Sequence, residues 1–235
     1  MIPIRFRILA LALALVVLAA SRTARADEPQ IYLSWHAPWG QPGATDTLSA
    51  ACDSSRSDTL WLSFDSGKPS PTFIGFNGTL IFHPPVGDTL SGWWLRDLGK
   101  PAPPQMTVAF PPRPDVPYPQ PFRTIGAGGT MWDTSKSQHR LRFIYAIPYP
   151  ATAALARGVY VAARVIIRRP PAGDPACGEP LCIEWAQAEI SYDVGTERAF
   201  ARSGAHALVS LNSPDGAVAV PYRTATRRSW QPKTP

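Results

Sequence analysis

The stretch Arg140–Ile167, RLRFIYAIPYPATAALARGVYVAARVII, decides the fold class, because strand and helix spacings compete within it. In RLRFIYAI, Leu141, Phe143, Tyr145 and Ile147 alternate with Arg140, Arg142, Ile144 and Ala146. That period of two predicts a half-buried strand, ended by Pro148. From Val159 the same period returns, with Val159, Val161, Ala163, Val165 and Ile167 expected inward and Tyr160, Arg164 and Arg168 outward. Between the two lies the one place where helix competes, the Ala-rich residues 151–157 stopped by Gly158, with room for two turns at most.

Outward from this stretch the spacing stays that of strands. IYLSW sets Ile31, Leu33 and Trp35 on one face, and TLWLSF sets Leu60, Leu62 and Phe64 against Thr59, Trp61 and Ser63. TFIGFNGTLIF (Thr72–Phe82) places Ile74, Phe76, Leu80 and Phe82 together, with Gly75 and Gly78 marking a bend or a close backbone approach. MTVAF (Met106–Phe110) alternates and stops at Pro111-Pro112. In IEWAQAEISYDV, Ala186, Ala188, Ile190, Tyr192 and Val194 share one face, whereas Ile183 and Trp185 fall on the other. The apolar side therefore changes near Trp185, and a β-bulge is expected there. HALVSL (His206–Leu211) and GAVAV (Gly216–Val220) read as two last strands around an Asn212–Gly216 turn. The fold class expected is all-β, a single antiparallel β-sandwich, jelly-roll or immunoglobulin-like, with one or two short helices at most.

The N-terminus carries Arg5 and Arg7, the apolar run Ile8–Ala20 and an Ala24-Arg25-Ala26 step, the pattern of a secretory signal peptide. The run is too short for the roughly 20 residues that span a bilayer, and no later segment approaches that length. Residues 1–26 are assigned as signal, 27–222 as the sandwich domain and 223–235 as a basic tail. Without the signal, 19 basic residues face 17 acidic ones, so the formal charge of +6 falls to about +2 and no basic stripe points to nucleic acid. Of 27 prolines, 26 lie in the mature part, which disfavours long helices and favours short strands with stiff loops. The Pro-richest segment, 99–124, reads as a stiff excursion of one domain rather than a linker between two.

No catalytic constellation stands out. His36, His83, His139 and His206 lack metal-ligand spacing, the chain has no Cys-x-x-Cys, Gly-x-Ser-x-Gly or phosphate loop, and no cofactor is implied. Glu184 and Glu189 are five apart, which on a regular strand puts them on opposite faces. Glu189 and Asp193 share a face with Gln187 and Ser191, a stripe that fits either solvent or a ligand. Among the eight Trp, Trp39 and the neighbours Trp93 and Trp94 are candidate ligand contacts; read as a strand, the pair has one member in the core and the other exposed.

FIGFNGTLIFHPPVGDTL (Phe73–Leu90) and RLRFIYAIPYPATAALARGVYVAARVII resemble stretches of cohesin-type domains. In that family, and in related carbohydrate-binding modules, a hydrophobic strand ends at a Pro-containing step, and a later strand, a short excursion and a Gly precede another strand. The resemblance covers a third to a half of the mature chain. It implies an exported jelly-roll sandwich that holds protein modules or glycans without catalysis. The Pro-rich middle, the cysteines and the Trp content depart from the family, and no binding residue is carried over.

Two function classes follow. The first is an exported, secreted or periplasmic, non-catalytic module that binds a protein or polysaccharide of the cell envelope, or has a structural role there. The second is a secreted glycan- or ester-directed hydrolase with dispersed catalytic residues. Export also places the three cysteines where disulfides persist. DPACGEPLCIEW (Asp174–Trp185) holds Cys177 and Cys182 around a turn-forming Gly-Glu-Pro-Leu, so a Cys177–Cys182 bridge is expected to close a hairpin between strands 159–168 and 183–194. Cys52 is then the odd thiol. A bridge from Cys52 to either of the others is the alternative, with about 5 kcal/mol of loop entropy against about 2 for the short ring.

Overall fold

The computed structural model describes residues 28–84, 90–95, 105–111, 113–121, 126–135, 138–148, 150–193, 198–203 and 206–212. The signal at 1–26, the strand expected at 216–220 and the tail at 223–235 lie outside the described residues. Twelve strands carry the described chain: β1 (Gln30–Trp35), β2 (Thr47–Leu48), β3 (Ser57–Asp65), β4 (Ser70–His83), β5 (Met106–Ala109), β6 (Ala127–Ser135), β7 (Gln138–Ala146), β8 (Ala153–Leu155), β9 (Val159–Arg168), β10 (Leu181–Tyr192), β11 (Arg198–Ser203) and β12 (Leu208–Leu211). One helical turn, α1 (Gly92–Leu95), interrupts them.

The strands form two layers. Sheet A runs β5-β9-β3-β1 and sheet B runs β10-β4-β7-β6. β11 joins them at one side, pairing parallel with β1 and antiparallel with β10. The short strands β2 and β12 pair with each other near this join. Between the layers lies the core, built from the inward residues of period two. Ile31, Leu33, Trp35, Leu60, Leu62 and Phe64 come from sheet A; Phe76, Leu80, Phe82, Leu141, Phe143, Ile183, Trp185 and Ile190 come from sheet B. Phe64 meets Phe73 and Phe76 across the gap, with centroids 5.9 and 6.3 Å apart. At the open side, opposite the join, Phe110 stacks on Tyr145 at 5.3 Å and plugs the space between the end of β5 and β6. Strands from both sides of segment 99–124 meet within each layer, since β4 lies between β7 and β10, and β9 lies against β3.

Two of the register shifts decide which faces of β10 and β9 are buried. In β10 the pairing with β4 jumps from Trp185↔Leu80 to Gln187↔Thr79, leaving Ala186 as the extra residue. The bulge expected at Trp185 is therefore present, and it returns Ile183 and Trp185 to the buried face beside Ala188, Ile190 and Tyr192. The Trp185 indole donates to the Gln187 carbonyl at 3.0 Å and spans the irregularity. In β9 the pairing with β3 jumps between Leu62↔Ala163 and Ser63↔Val161. This turns Val161 outward, against Trp61, while Tyr160 stacks on the buried Phe64 and Val159 stays exposed, so the expected inward face holds only from Ala163 onward.

Other expectations change for local reasons. The Ala-rich stretch is strand β8, not helix: Ala153 pairs with Phe73, and Leu155 enters the core. A helix of two turns has too few hydrogen bonds to repay its nucleation, and a sheet edge was available. In β4, Phe73 rather than Ile74 is buried, because a register shift at Ser191/Tyr192 displaces the strand start. Gly78 is the close approach foreseen, since a Cβ there would lie 2.5 Å from Phe143 Cζ and 2.7 Å from Trp185 Nε1. Trp93 and Trp94 are both buried, at 4% and 5% exposure, because they sit on a helical turn rather than a strand.

The cysteine pairing is also corrected. Cys52 is bonded to Cys177, with Cα atoms 5.6 Å apart, and Cys182 is a free thiol. The hairpin to be clasped does not exist: β9 pairs with β3 and β5 in sheet A, whereas β10 pairs with β4, β11 and β12 in sheet B. The 169–180 connection thus crosses from one layer to the other, alongside the loop that carries Cys52. Arg169 fixes that crossing with a bidentate pair to the buried Asp58 at 2.7 and 2.8 Å and a bond to the Ala51 carbonyl at 3.3 Å. Cys182 is held inside β10, opposite His83 and Ser210.

Candidate functional site

The two outer faces differ. Sheet A is roofed by its own loops. The segment 113–121 lays Val116 and Tyr118 over Trp61, whose ring meets Tyr118 edge-on at 5.9 Å. Pro119 accepts from the Val161 amide at 2.9 Å, at the β9 bulge. Arg164 lies 5.9 Å over the Trp61 ring and bonds Asp115 at 2.7 Å, and this contact holds the Asp115 carboxyl below its usual range. The Pro-rich segment therefore makes a second small core outside the sheet. Nearby, Trp39 folds back from the β1–β2 connection onto Tyr32, with planes 2° apart at 5.5 Å, and onto His206 at 4.0 Å. Burial, and then Asp65, raise the Tyr32 hydroxyl above its ordinary value. Trp39 is half-buried and His206 exposed, so this trio is a small aromatic ledge.

Sheet B carries no such roof among the described residues. Antiparallel partners face the same side, so its register fixes the outer face row by row. The rows are Ser191–Gly75–Ala146, Glu189–Asn77–Ile144–Gly129, Gln187–Thr79–Arg142–Met131 and Glu184–Ile81–Arg140. Ile144 is 56% exposed and Met131 54%, the two most exposed large apolar side chains among the described residues. At the extra residue Ala186 lies a shallow depression of about 410 Å³, lined also by Thr79, Ile81, Gln187, Arg140 and Arg142. A second, of about 130 Å³, lies beside it around Asn77 and Ile144 and is mainly apolar.

Glu189 lies on this face as the spacing predicts. Asp193 is exposed just past the end of β10. Glu184 also lies on this face, against expectation, because the bulge cancels the odd interval between it and Glu189. Their partners Ile81 and Asn77 are four residues apart, so the two backbones are separated by about 13 Å. The roughly 5 to 9.5 Å between paired glycosidase carboxyl groups would require the two side chains to lean toward each other. Glu184 instead bonds His83 at 2.9 Å. Cys182, in register with His83, has its thiol pushed up to about 12 by burial first and by Glu184 second, so it is a poor nucleophile at neutral pH.

Of the other predicted contacts, Trp94 packs on Phe82 and donates to Glu179 at 3.2 Å, and Trp93 joins the core. Burial removes both from ligand contact. Among the described residues no group of three or more His, Cys, Asp or Glu is placed to hold a metal ion. Sequence reasoning missed Arg140, Arg142, Met131 and Ile144 as one surface. The signal was present as the outward positions of RLRFIYAI, but which strands lie beside them was not.

Comparison with protein-family models and with curated protein sequences gives no match. Among solved structures the chain is similar to a type I cohesin in a cohesin–dockerin complex from Clostridium thermocellum. The identity is 11%, over 78% of this chain and 93% of that one, with a TM-score of 0.41. It is also similar to a type II cohesin domain from the cellulosome of Acetivibrio cellulolyticus, at 11% identity over 79% and 95%, with a TM-score of 0.36. These are domains of the family that the sequence resembles, and no residue is transferred from them.

Proposed function

We propose that this protein is an exported, non-catalytic β-sandwich that holds a protein partner on the outer face of sheet B. The observation that carries the reading is a face, unroofed among the described residues, on which exposed Ile144 and Met131 lie beside a depression lined by Arg140 and Arg142. Apolar side chains beside arginines match the composition of interface centres, where arginine stems pack and the guanidinium groups orient the partner. Support for export comes from the N-terminal pattern and from the Cys52–Cys177 disulfide. Export in turn supports a partner at the cell envelope.

A photo-crosslinking residue at position 144, compared with one at Arg168 on sheet A, tests the face. Position 144 is expected to label one envelope protein reproducibly, Ile144→Asp is expected to weaken capture of that protein at least tenfold, and position 168 is expected to label nothing above background. Equal labelling from both positions would defeat the assignment. Turnover of a glycoside or ester panel, abolished by one Asp or Glu substitution, would favour the hydrolase class. The aromatic ledge of Trp39, Tyr32 and His206 gives a second reading, a glycan stacked on Trp39; polysaccharide retention lost in Trp39→Ala and kept in Ile144→Asp would select it.

A further inference from the structure

The two ends of the strand path are finished differently. β5 is four residues long and runs into Pro111, one of the devices by which proteins blunt a sheet edge. β6 is nine residues, AGGTMWDTS, and pairs with β7 without a register break from Ala127↔Ala146 to Ser135↔Gln138. On its other side it pairs with no strand among the described residues. It has no Pro, Lys, Arg or bulge, and Asp133 is its single charge. Residues 127–131 are exposed on both faces of the strand. An edge of nine residues that is unpaired among the described strands and exposed to solvent over 127–131 is a template for another strand.

We propose that β6 pairs edge to edge with β6 of a second copy of this chain, antiparallel about a two-fold axis through Met131. The sequence of the strand suits itself in that register. Met131 meets Met131 of the other copy on the outer face, Thr130 faces Trp132, and Gly129 faces Asp133, so no charge opposes a like charge. The pairing covers a side chain that is otherwise 54% exposed. Arg142, in register with Met131 on β7, lies three strand spacings from its copy, about 14 Å, which exceeds the roughly 8 Å screening length at physiological salt. A foreign peptide would need pockets for alternate side chains. At Gly128 the ring of Phe110 already occupies the place where a Cβ would go, and Gly129 offers no wall. The resulting dimer would align two copies of the Arg140–Arg142 depression on one continuous sheet.

Sedimentation of the full mature chain from about 1 to 200 µM is expected to show a monomer–dimer equilibrium, and Met131→Lys is expected to be monomeric throughout with an unchanged thermal melt. In a Cys182→Ser background, Met131→Cys is expected to form an interchain disulfide at least tenfold faster than Gly129→Cys, whose two copies would be about 13 Å apart in this register and out of bonding range. A wild-type chain that stays monomeric overturns the proposal and leaves the edge to a foreign strand. A dimer that survives Met131→Lys, or one that cross-links equally through positions 129 and 131, overturns it as well. Ile144→Asp separates this inference from the proposed function, since it abolishes partner labelling and leaves the dimer intact.

Discussion

Replacing Cys52 with Ser removes a cross-link between residues 125 apart in sequence. The chain-entropy relation for a loop of that length gives about 5 kcal/mol of stabilisation. A domain of this size shifts its melting midpoint by roughly 2 to 4 °C per kcal/mol, so C52S is expected to melt about 10 to 20 °C lower. Cys182→Ser should do little, about 1 kcal/mol or less, because the half-buried thiol makes no cross-link and its neighbours in the ladder bond through their backbones. Near-UV circular dichroism of the oxidised proteins reads the midpoints, and non-reducing peptide mapping of the wild type reads the pairing. C52S also leaves Cys177 and Cys182 free to close the short ring. That ring would return only about 2 kcal/mol of loop entropy and would pull Cys182 out of β10, so no recovery is expected on re-oxidation. A C182S protein that loses as much stability as C52S, or a mapped Cys177–Cys182 peptide in the wild type, would refute the reasoning.

Two further outcomes follow from buried polar groups. Arg169→Met leaves the Asp58 carboxylate buried without its bidentate partner and is expected to cost about 3 to 5 kcal/mol in urea unfolding, with Asp58→Leu added in the same chain recovering part of the loss. The Cys182 thiol is raised to about 12 when folded, against an ordinary 9, so it is protonated in both states below pH 9. Between about pH 9 and 12 the unfolded chain releases a proton that the folded chain keeps, so stability falls as pH rises. The raised hydroxyls of Tyr32 and Tyr145 push in the same direction, so the test is the difference between wild type and C182S, whose stability is expected to fall less over that window.

Much of the fold was legible because burial between two layers imposes a period of two on each strand. Leu141, Phe143 and Tyr145 announce it, and the broken period at Trp185 announced the bulge that Ala186 supplies. The same local reasoning failed where a residue's fate depends on what arrives from elsewhere in the chain. Trp61 points out of its sheet as its spacing says, yet it is buried, because the Pro-rich segment folds over it. Trp93 and Trp94 are both buried because a single helical turn stands where a strand was expected. Glu184 and Glu189 share a face because one extra residue between them shifts the alternation.

The sequence by itself determined the class of structure, through alternation and proline placement, and pointed to export through its N-terminal pattern. The tertiary structure alone decided which elements are neighbours. A strand's own residues specify which of its faces is apolar, but strand pairing brings together segments a hundred residues apart. That information resides in the summed packing of the whole core rather than in any window of sequence. So Cys177 joined Cys52 across the chain instead of Cys182 nearby, and Glu184, Ile81 and Arg140 became one row only when β10, β4 and β7 lay side by side.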